Sequence, residues 1–243
     1  MDFGVDLSGR SALVTGGSRG IGRAITLALA GCGAAVAVNY VAREAEAEAV
    51  VERIRSAGGR ATAVRADVSV AAEVAALAGQ VVRDLGPVDI LVNNAGIALA
   101  DADEEAFDRT LATNLKSAWL CTEAFLPGMR ARRWGRIVNM SSIAARGAGA
   151  IGVAYNASKA GLEGLTRGYA ARAACDGVTV NAIAPGPTDT EMGAPLAAAG
   201  VVARIPMGRM GRTEDVAQAT ILVVANDFMT GQTIAVNGGL ALL

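Results

Sequence analysis

The sequence predicts a single-domain, doubly wound α/β fold over residues 1–243, a sheet of about seven parallel strands with helices on both faces. Three observations carry this. Short apolar runs bounded by Gly, Asp or Asn alternate with helix-like stretches from end to end. The runs are apolar on both faces rather than alternating, which marks a parallel sheet covered on both sides. No repeat, low-complexity tract or linker divides the chain, and 243 residues suit one large domain.

The first strand, Ser11–Thr15, runs into a glycine turn, and a helix follows over Gly20–Leu29. Ala24 to Ala42 holds no charge over nineteen residues, long enough to span a membrane. Gly31-Cys32-Gly33 cuts it into a helical half and a second strand, Ala35–Asn39, so no membrane span is expected. Helix-like Ala42–Ser56 leads to strand Ala61–Arg65, and Val70–Asp84 to strand Val88–Val92. A long helical stretch, Asp103–Arg132, precedes strand Arg136–Met140, and Ala154–Ala174 precedes strand Val178–Ala184. Pro185 to Arg212 lacks periodicity, and a loop of that length in a compact domain is usually a lid or binding loop; a substrate loop is placed at about 187–212. Helix Thr213–Ala225 and strand Thr233–Val236 close the alternation.

Composition excludes several functions. Lys and Arg number 22 against 23 acids, so there is neither a basic footprint for nucleic acid nor an acidic, disordered composition. There is no histidine, which removes Ser-His-Asp, Cys-His and His-metal mechanisms together. Cys32, Cys121 and Cys175 lie far apart, so no zinc site or disulfide framework is expected and a reducing, cytoplasmic setting fits. Met1 to Arg10 carries two acids and no apolar stretch, unlike a signal peptide. With aromatics at 4%, Ala, Val, Leu and Ile must fill the core.

After the first strand comes Gly16-Gly17-Ser18-Arg19-Gly20-Ile21-Gly22. Gly16 permits the sharp turn, Gly20 lets the backbone approach a pyrophosphate, and Gly22 lets helix and sheet pack closely, with the phosphates on free N–H groups of the helix N-terminus. The spacing is GxxxGxG rather than the general GxGxxG. A glycine turn before any buried helix looks similar; its place after the first strand of an α/β chain selects a dinucleotide site, the Rossmann arrangement.

A ribose-binding acid is expected about twenty residues beyond that loop. The sequence there is Asn39-Tyr40-Val41, without an acid. A carboxylate would accept the 2′-hydroxyl of NAD and repel the 2′-phosphate of NADP, so its absence, with Arg19 and Arg43 nearby, favours NADP(H) over a still possible NAD(H). Both arginines also read as solvated surface charges. Asp67-Val68 ends the third strand, where Asp67 either meets the adenine edge or caps the turn. Asn93-Asn94-Ala95-Gly96 ends the fourth strand with small residues that suit close passage beside a ligand, or simply a turn.

Tyr155 and Lys159, four apart in a helix-like stretch, share a face. Ser141-Ser142 end the fifth strand, and Ser142 lies thirteen residues before Tyr155, one of only three tyrosines. Without histidine, a phenol is a plausible acid for carbonyl chemistry. A neighbouring Lys159 cation and a positive nicotinamide favour its phenolate.

Together these motifs resemble the short-chain dehydrogenase/reductases. Thr15-Gly16-x-x-x-Gly20-Ile21-Gly22, Asn93-Asn94-Ala95-Gly96, Asn114, Ser142, Tyr155-x-x-x-Lys159 and Pro185-Gly186 occur in that family's order and spacing, from about Leu7 to Leu243. The look is closest to the 3-oxoacyl-[acyl-carrier-protein] reductases, through Ser18-Arg19, Asn39-Tyr40, Asp67-Val68 and Val236-Asn237-Gly238-Gly239. The resemblance implies that Tyr155 donates a proton to a carbonyl oxygen, that Ser142 hydrogen-bonds that oxygen, and that Lys159 holds the nicotinamide ribose and lowers the pKa of Tyr155. It implies that Asn114 anchors a water relaying protons through Lys159, and that Pro185, Gly186 and Thr188 line the carboxamide side. It also implies a homotetramer paired through the Asp103–Arg132 and Ala154–Ala174 helices, whose apolar faces otherwise belong to the intrachain core.

Some residues depart from that branch. Ile97 to Glu105 is short and acidic. Arg133 matches one carrier-docking arginine, but the second such position holds Asp176, which weakens docking of an acidic carrier protein. Thr188 to Ile205 is Ala/Gly-rich and shorter than usual, and Ala225-Asn226-Asp227-Phe228-Met229 is also short. These put the acyl-carrier-protein substrate in doubt and leave the catalytic set intact. The expected function is NADPH-dependent reduction of a ketone, a 3-oxoacyl thioester or similar small-molecule carbonyl. The alternatives are an NAD(P)-dependent dehydrogenase of a small alcohol, sugar or cyclic hydroxy compound, and a binding module that has lost activity. Intact Ser142, Tyr155 and Lys159 argue against the last.

Overall fold

A computed structural model describes residues 4–100 and 102–242. Asp101, inside the acidic segment after Gly96, and residues 1–3 and 243 lie outside the described residues.

Seven parallel strands form one sheet: β1 (Ser11–Val14), β2 (Ala35–Tyr40), β3 (Ala61–Arg65), β4 (Ile90–Asn93), β5 (Gly135–Met140), β6 (Val178–Pro185) and β7 (Thr233–Val236). Their order is β3-β2-β1-β4-β5-β6-β7. The order reverses between β1 and β4, which opens a crevice at the carboxyl ends of those strands. The doubly wound parallel sheet is therefore the one the apolar runs predicted, with strand ends shifted by a residue or two.

Helices α1 (Gly20–Gly31), α2 (Glu44–Ser56), α3 (Ala71–Leu85), α4 (Glu104–Leu111), α5 (Ser117–Ala131), α6 (Val153–Ala173), α7 (Ala194–Ala198) and α8 (Thr213–Ala225) cover the sheet. The long helices each bury one stripe. In α3 it is Val74, Leu77, Val81 and Leu85, the spacing that keeps residues on one helical face. These side chains join Phe125 and Met129 of α5 and Ala170 of α6 against one face of the sheet. Ile25 and Leu29 of α1 pack with Val216, Ile221 and Val224 of α8 against the other.

Two expectations are corrected. The stretch Asp103–Arg132 is not one regular helix: Ala112–Lys116 forms a π turn between α4 and α5. There the Ser117 N–H reaches back to Ala112 O, and the widened turn leaves Asn114 buried. Such turns insert one residue into a helix without changing its hydrophobic spacing enough to be read. The 187–212 loop is not without structure either. Gly193 and Gly200 bracket α7, with Pro195 in its first turn, and a 3-10 turn follows at Val201–Arg204.

Candidate active site

Positive φ at Gly16 (+61°) and Gly20 (+53°) folds the loop between β1 and α1 into a cradle. A Cβ on Gly22 would stand 2.2 Å from Gly16 O and 2.5 Å from Asn94 Nδ2, so no side chain fits there. The N-terminus of α1 has no side-chain cap and no acid in its first turn, leaving its N–H groups for an anion. Ser18 is buried within the loop, and Ile21 is half-buried against the core beneath it.

The neighbouring strand ends lock this cradle. Thr15 Oγ1 accepts the N–H groups of Asn94 and Ala95, each at 2.9 Å. Asn94 Nδ2 donates to Thr15 O at 2.9 Å and to Gly16 O at 3.1 Å. Asn39, expected to meet the coenzyme, is instead spent on the protein. Its Nδ2 donates to Ala66 O (2.9 Å) and Val64 O (3.3 Å), and its Oδ1 accepts from Gly16 N. Asn93 is likewise interior: Nδ2 donates to Asn139 Oδ1 at 2.8 Å, and Asn139 donates to Thr166. Both asparagines position the loops that face the crevice. A side chain inside a strand of a doubly covered sheet points into a packed layer, not towards the strand's end.

Tyr40 is also corrected. Alternation along β2 sends it away from Asn39, into the layer with Ala47, Val50 and Ile54 of α2, where its hydroxyl donates to Glu44 Oε1 at 3.1 Å. Asp67 Oδ1 accepts from Ser69 N (2.9 Å) and Ser69 Oγ (2.7 Å), while Val68 is core. Ala95 and Gly96 line the crevice, and a Cβ on Gly96 would lie 3.3 Å from Asn114 Oδ1 and 3.6 Å from Lys159 Nζ.

Ser142, Tyr155 and Lys159 are brought together. Tyr155 is 7% exposed, and its hydroxyl is hydrogen-bonded with the Ser142 side chain. Lys159 Nζ donates to Met140 O at 2.7 Å and lies 5.6 Å from the centre of the Tyr155 ring. Burial pushes the Lys159 ammonium down to about 8. Burial also pushes the Tyr155 phenol above its ordinary value, against the smaller opposing effect of Ser142. Desolvation of the phenolate thus sets the direction of the shift.

The Asn114 side chain is hydrogen-bonded within the protein. Its Oδ1 accepts from Ile97 N (2.8 Å), and its Nδ2 donates to Ile97 O (3.0 Å) and Ser158 Oγ (3.1 Å). Ser158 donates to Tyr155 O at 2.7 Å. The side chain therefore ties the loop after β4 to the helix that carries Tyr155.

Sequence reasoning missed a second support. Glu163, one turn beyond Lys159 and 5% exposed, accepts from Arg146 Nε at 2.8 Å and faces Ser141 Oγ at 3.5 Å. Its spacing of four from Lys159 was the available signal.

On the far side, Gly186 N donates to Val236 O, and a Cβ on Gly186 would lie 2.9 Å from Asn237 Cα. Thr188 Oγ1 donates to Gly186 O at 3.0 Å, and Pro185 ends β6 beside them. Away from the crevice, Arg133 donates to Cys175 O at 3.0 Å, and Asp176 pairs with Arg130 at 3.1 Å.

Residues 10–199 match the family of short chain dehydrogenases. The chain belongs to that family. It is an NAD(P)-dependent oxidoreductase of the class that interconverts CH–OH and C=O groups. It is 43% identical to the 3-oxoacyl-[acyl-carrier-protein] reductase FabG of Staphylococcus aureus, covering 95% of this chain and 98% of the relative. It is 41% identical to the 3-oxoacyl-[acyl-carrier-protein] reductase of Synechocystis sp., covering 97% and 98%. Among solved structures, a blue fluorescent protein from a metagenomic library, determined with NADPH, superposes with a TM-score of 0.91 at 38% identity, covering 98% of this chain and all of that one. Among the described residues of this short-chain dehydrogenase, no helix is long and apolar enough to cross a membrane.

Proposed function

We propose that the chain reduces a ketone, a 3-oxoacyl thioester or a similar carbonyl, to a secondary alcohol with NADPH. The observation that carries this is the buried Ser142–Tyr155–Lys159 cluster beside a glycine cradle that side chains would fill. The two relatives named as 3-oxoacyl reductases support the substrate class, and the neighbour solved with NADPH supports the coenzyme.

The coenzyme supplies the hydride for the carbonyl carbon. Gly16, Gly20 and Gly22 admit its pyrophosphate to the α1 N-terminus. Ala95 and Gly96 bound the crevice on one side, and Pro185, Gly186 and Thr188 on the other. Ser142 holds the carbonyl oxygen, and Tyr155 delivers its phenolic proton to that oxygen as the carbon is reduced. Lys159 holds the ribose hydroxyls and, as an ammonium, stabilises the phenolate left behind. Arg19 and Arg43, at the adenosine end, take the 2′-phosphate.

A substrate panel followed at the absorbance of reduced nicotinamide tests this reading. Acetoacetyl thioesters, diketones and simple sugars are each offered with NADPH and with NADH. Thioester or diketone turnover with NADPH is expected; turnover of sugars alone would replace the reading with a sugar dehydrogenase.

The same proposal extends to assembly and setting. An apolar groove of about 610 Å3, lined by Leu111, Leu115, Trp119, Gly161 and Leu165 among others, runs between α4, α5 and α6, with Trp119 exposed. It suits helix pairing between subunits of a homotetramer, which light scattering would measure. Asp176 beside Arg133 disfavours docking of an acidic carrier protein, so a free or coenzyme A-linked substrate is favoured. The cysteines form no disulfide among the described residues, which suits the cytoplasm.

A further inference from the structure

The two arginines assigned to the 2′-phosphate already hold an anion of the chain's own. Glu191, on the loop between β6 and α8, pairs with Arg19 through Oε2, and the same oxygen lies 3.5 Å from Arg43 Nη2. Arg19 stands at the head of α1 and Arg43 at the head of α2, so the carboxylate bridges the two helices at the adenosine end. Arg43 holds Glu46 as well, at 2.9 Å.

Glu191 is presented by a fixed turn rather than a loose tail. Asp189 N donates to Gly211 O and Gly211 N to Pro187 O, which staples the two limbs of the loop. Gly193 N returns to Thr190 O, and a Cβ on Gly193 would stand 2.0 Å from Thr188 O. Thr190 itself lies over the glycine cradle: its methyl is 3.4 Å from where a Gly20 Cβ would be. The loop that borders the substrate end is therefore fastened across the mouth of the coenzyme cleft by one carboxylate on two guanidinium groups.

Two guanidinium groups converging on one oxygen provide what a phosphate monoester needs. We infer that Glu191 is a coenzyme-discriminating residue, an internal anion that the 2′-phosphate of NADP(H) displaces and that NAD(H) leaves in place. NADPH then unfastens the 187–212 loop from the arginines, whereas NADH binds beneath a loop still fastened. The side chains of Arg19, Arg43 and Glu191 are 52%, 49% and 65% exposed, so the pairing is weak enough to exchange for a dianion. This inference rests on the reading that Arg19 and Arg43 take the 2′-phosphate.

The test compares wild type with Glu191→Gln, an exposed and nearly isosteric change. Each is titrated calorimetrically with 2′,5′-ADP and with 5′-AMP, which differ only in the 2′-phosphate, and with NADPH and NADH. The variant is expected to bind 2′,5′-ADP and NADPH about three- to tenfold more tightly, with 5′-AMP and NADH within twofold of wild type. Hydrogen exchange at residues 189–193 of the wild type is expected to rise with 2′,5′-ADP and not with 5′-AMP. If wild type favours the phosphorylated ligands but Glu191→Gln leaves that preference unchanged, the inference fails while the NADPH reading stands. If neither protein favours 2′,5′-ADP over 5′-AMP, the arginine assignment fails and the inference with it. If only the variant favours it, the 2′-phosphate does not displace Glu191 in the wild type, and the inference fails together with the wild type's preference for NADPH.

Discussion

At the end of β5 the reacting groups are buried and tied to the backbone, whereas beyond β2 the charged groups stand in solvent and pair with one another. Lys159 and Tyr155 are 5% and 7% exposed. Arg19, Arg43 and Glu191 are each about half exposed or more. The two regions flank one crevice and face different physical demands. Proton transfer needs fixed geometry and a low dielectric, in which each dipole counts for more. Coenzyme exchange needs charge that water can screen, so that binding stays reversible. A substitution at the buried end should therefore change turnover or stability, and one at the exposed end should change ligand preference alone.

The largest effect is expected at Tyr155. Tyr155→Phe removes only the phenolic oxygen and keeps the ring packed beneath Ser142. Turnover should fall about a hundred- to ten-thousandfold, with coenzyme affinity and thermal midpoint close to wild type. Steady-state kinetics with coenzyme titration check this; activity within tenfold of wild type would sink the assignment of Tyr155 as proton donor.

Lys159→Met should separate stability from activity. Lowering an ammonium from 10.5 to about 8 corresponds to about 3 kcal/mol of destabilisation while the charge is held below pH 8. Between pH 8 and 10.5 the unfolded chain binds more protons than the native one, so wild-type stability attributable to this group rises with pH across that window. Methionine removes the penalty but leaves Met140 O without its donor, a loss of about 1–2 kcal/mol. The variant should be about 1–2 kcal/mol more stable than wild type at pH 7. That advantage should disappear by pH 10, and turnover should fall about a hundredfold. Urea unfolding at both pH values reads the sign directly. A variant less stable at pH 7 would mean that the hydrogen bond outweighs the desolvation.

Much of the buried end was legible in the sequence, and less of the exposed end. Tyr155 and Lys159 lie on one helix at a spacing that fixes their common face, and Ser142 ends an apolar run, so local rules suffice. The glycine cradle was legible because Gly22 sits where any Cβ meets Gly16 O. Asn39, Asn93 and Tyr40 misled because a sequence shows that a residue is near a strand's end but not which layer its side chain enters. The π turn at Asn114 was hidden because Ala112–Lys116 looks like ordinary helix. Glu191 was out of reach for another reason: its partner Arg19 is 172 positions away, and only the sheet order brings them together.

A smaller effect is expected at Glu163, which lies at the boundary of the two plans. Its carboxylate is buried, but its partner Arg146 is partly exposed. Glu163→Gln keeps the volume and weakens the clamp on the segment carrying Ser142. The turnover number should drop about five- to twentyfold while KM changes less than twofold, since Ser142 matters most in the transition state. The pH profile should keep its shape, because Glu163 does not exchange protons with substrate. An equal rise in KM would recast Glu163 as part of the binding surface.

The smallest effect is expected at Val41, where the comparison can be sharpened by choosing between adjacent residues. Asn39 points to the glycine loop and Tyr40 into the α2 layer, so alternation returns the next side chain to the coenzyme side. Val41 is 50% exposed, so an acid there costs little desolvation. Val41→Asp should weaken NADPH about tenfold by repelling the 2′-phosphate, and strengthen NADH a few-fold by accepting the 2′-hydroxyl. The thermal midpoint should not move. Tyr40→Asp, by contrast, places a carboxylate in an apolar layer and beside Glu44, and should lower stability by about 3 kcal/mol or more before any coenzyme effect is seen. Parallel titrations and thermal melts of the two variants separate the cases. If Tyr40→Asp switched preference at unchanged stability, β2 would present its other face to the coenzyme, and the exposed end of the cleft would have to be drawn again.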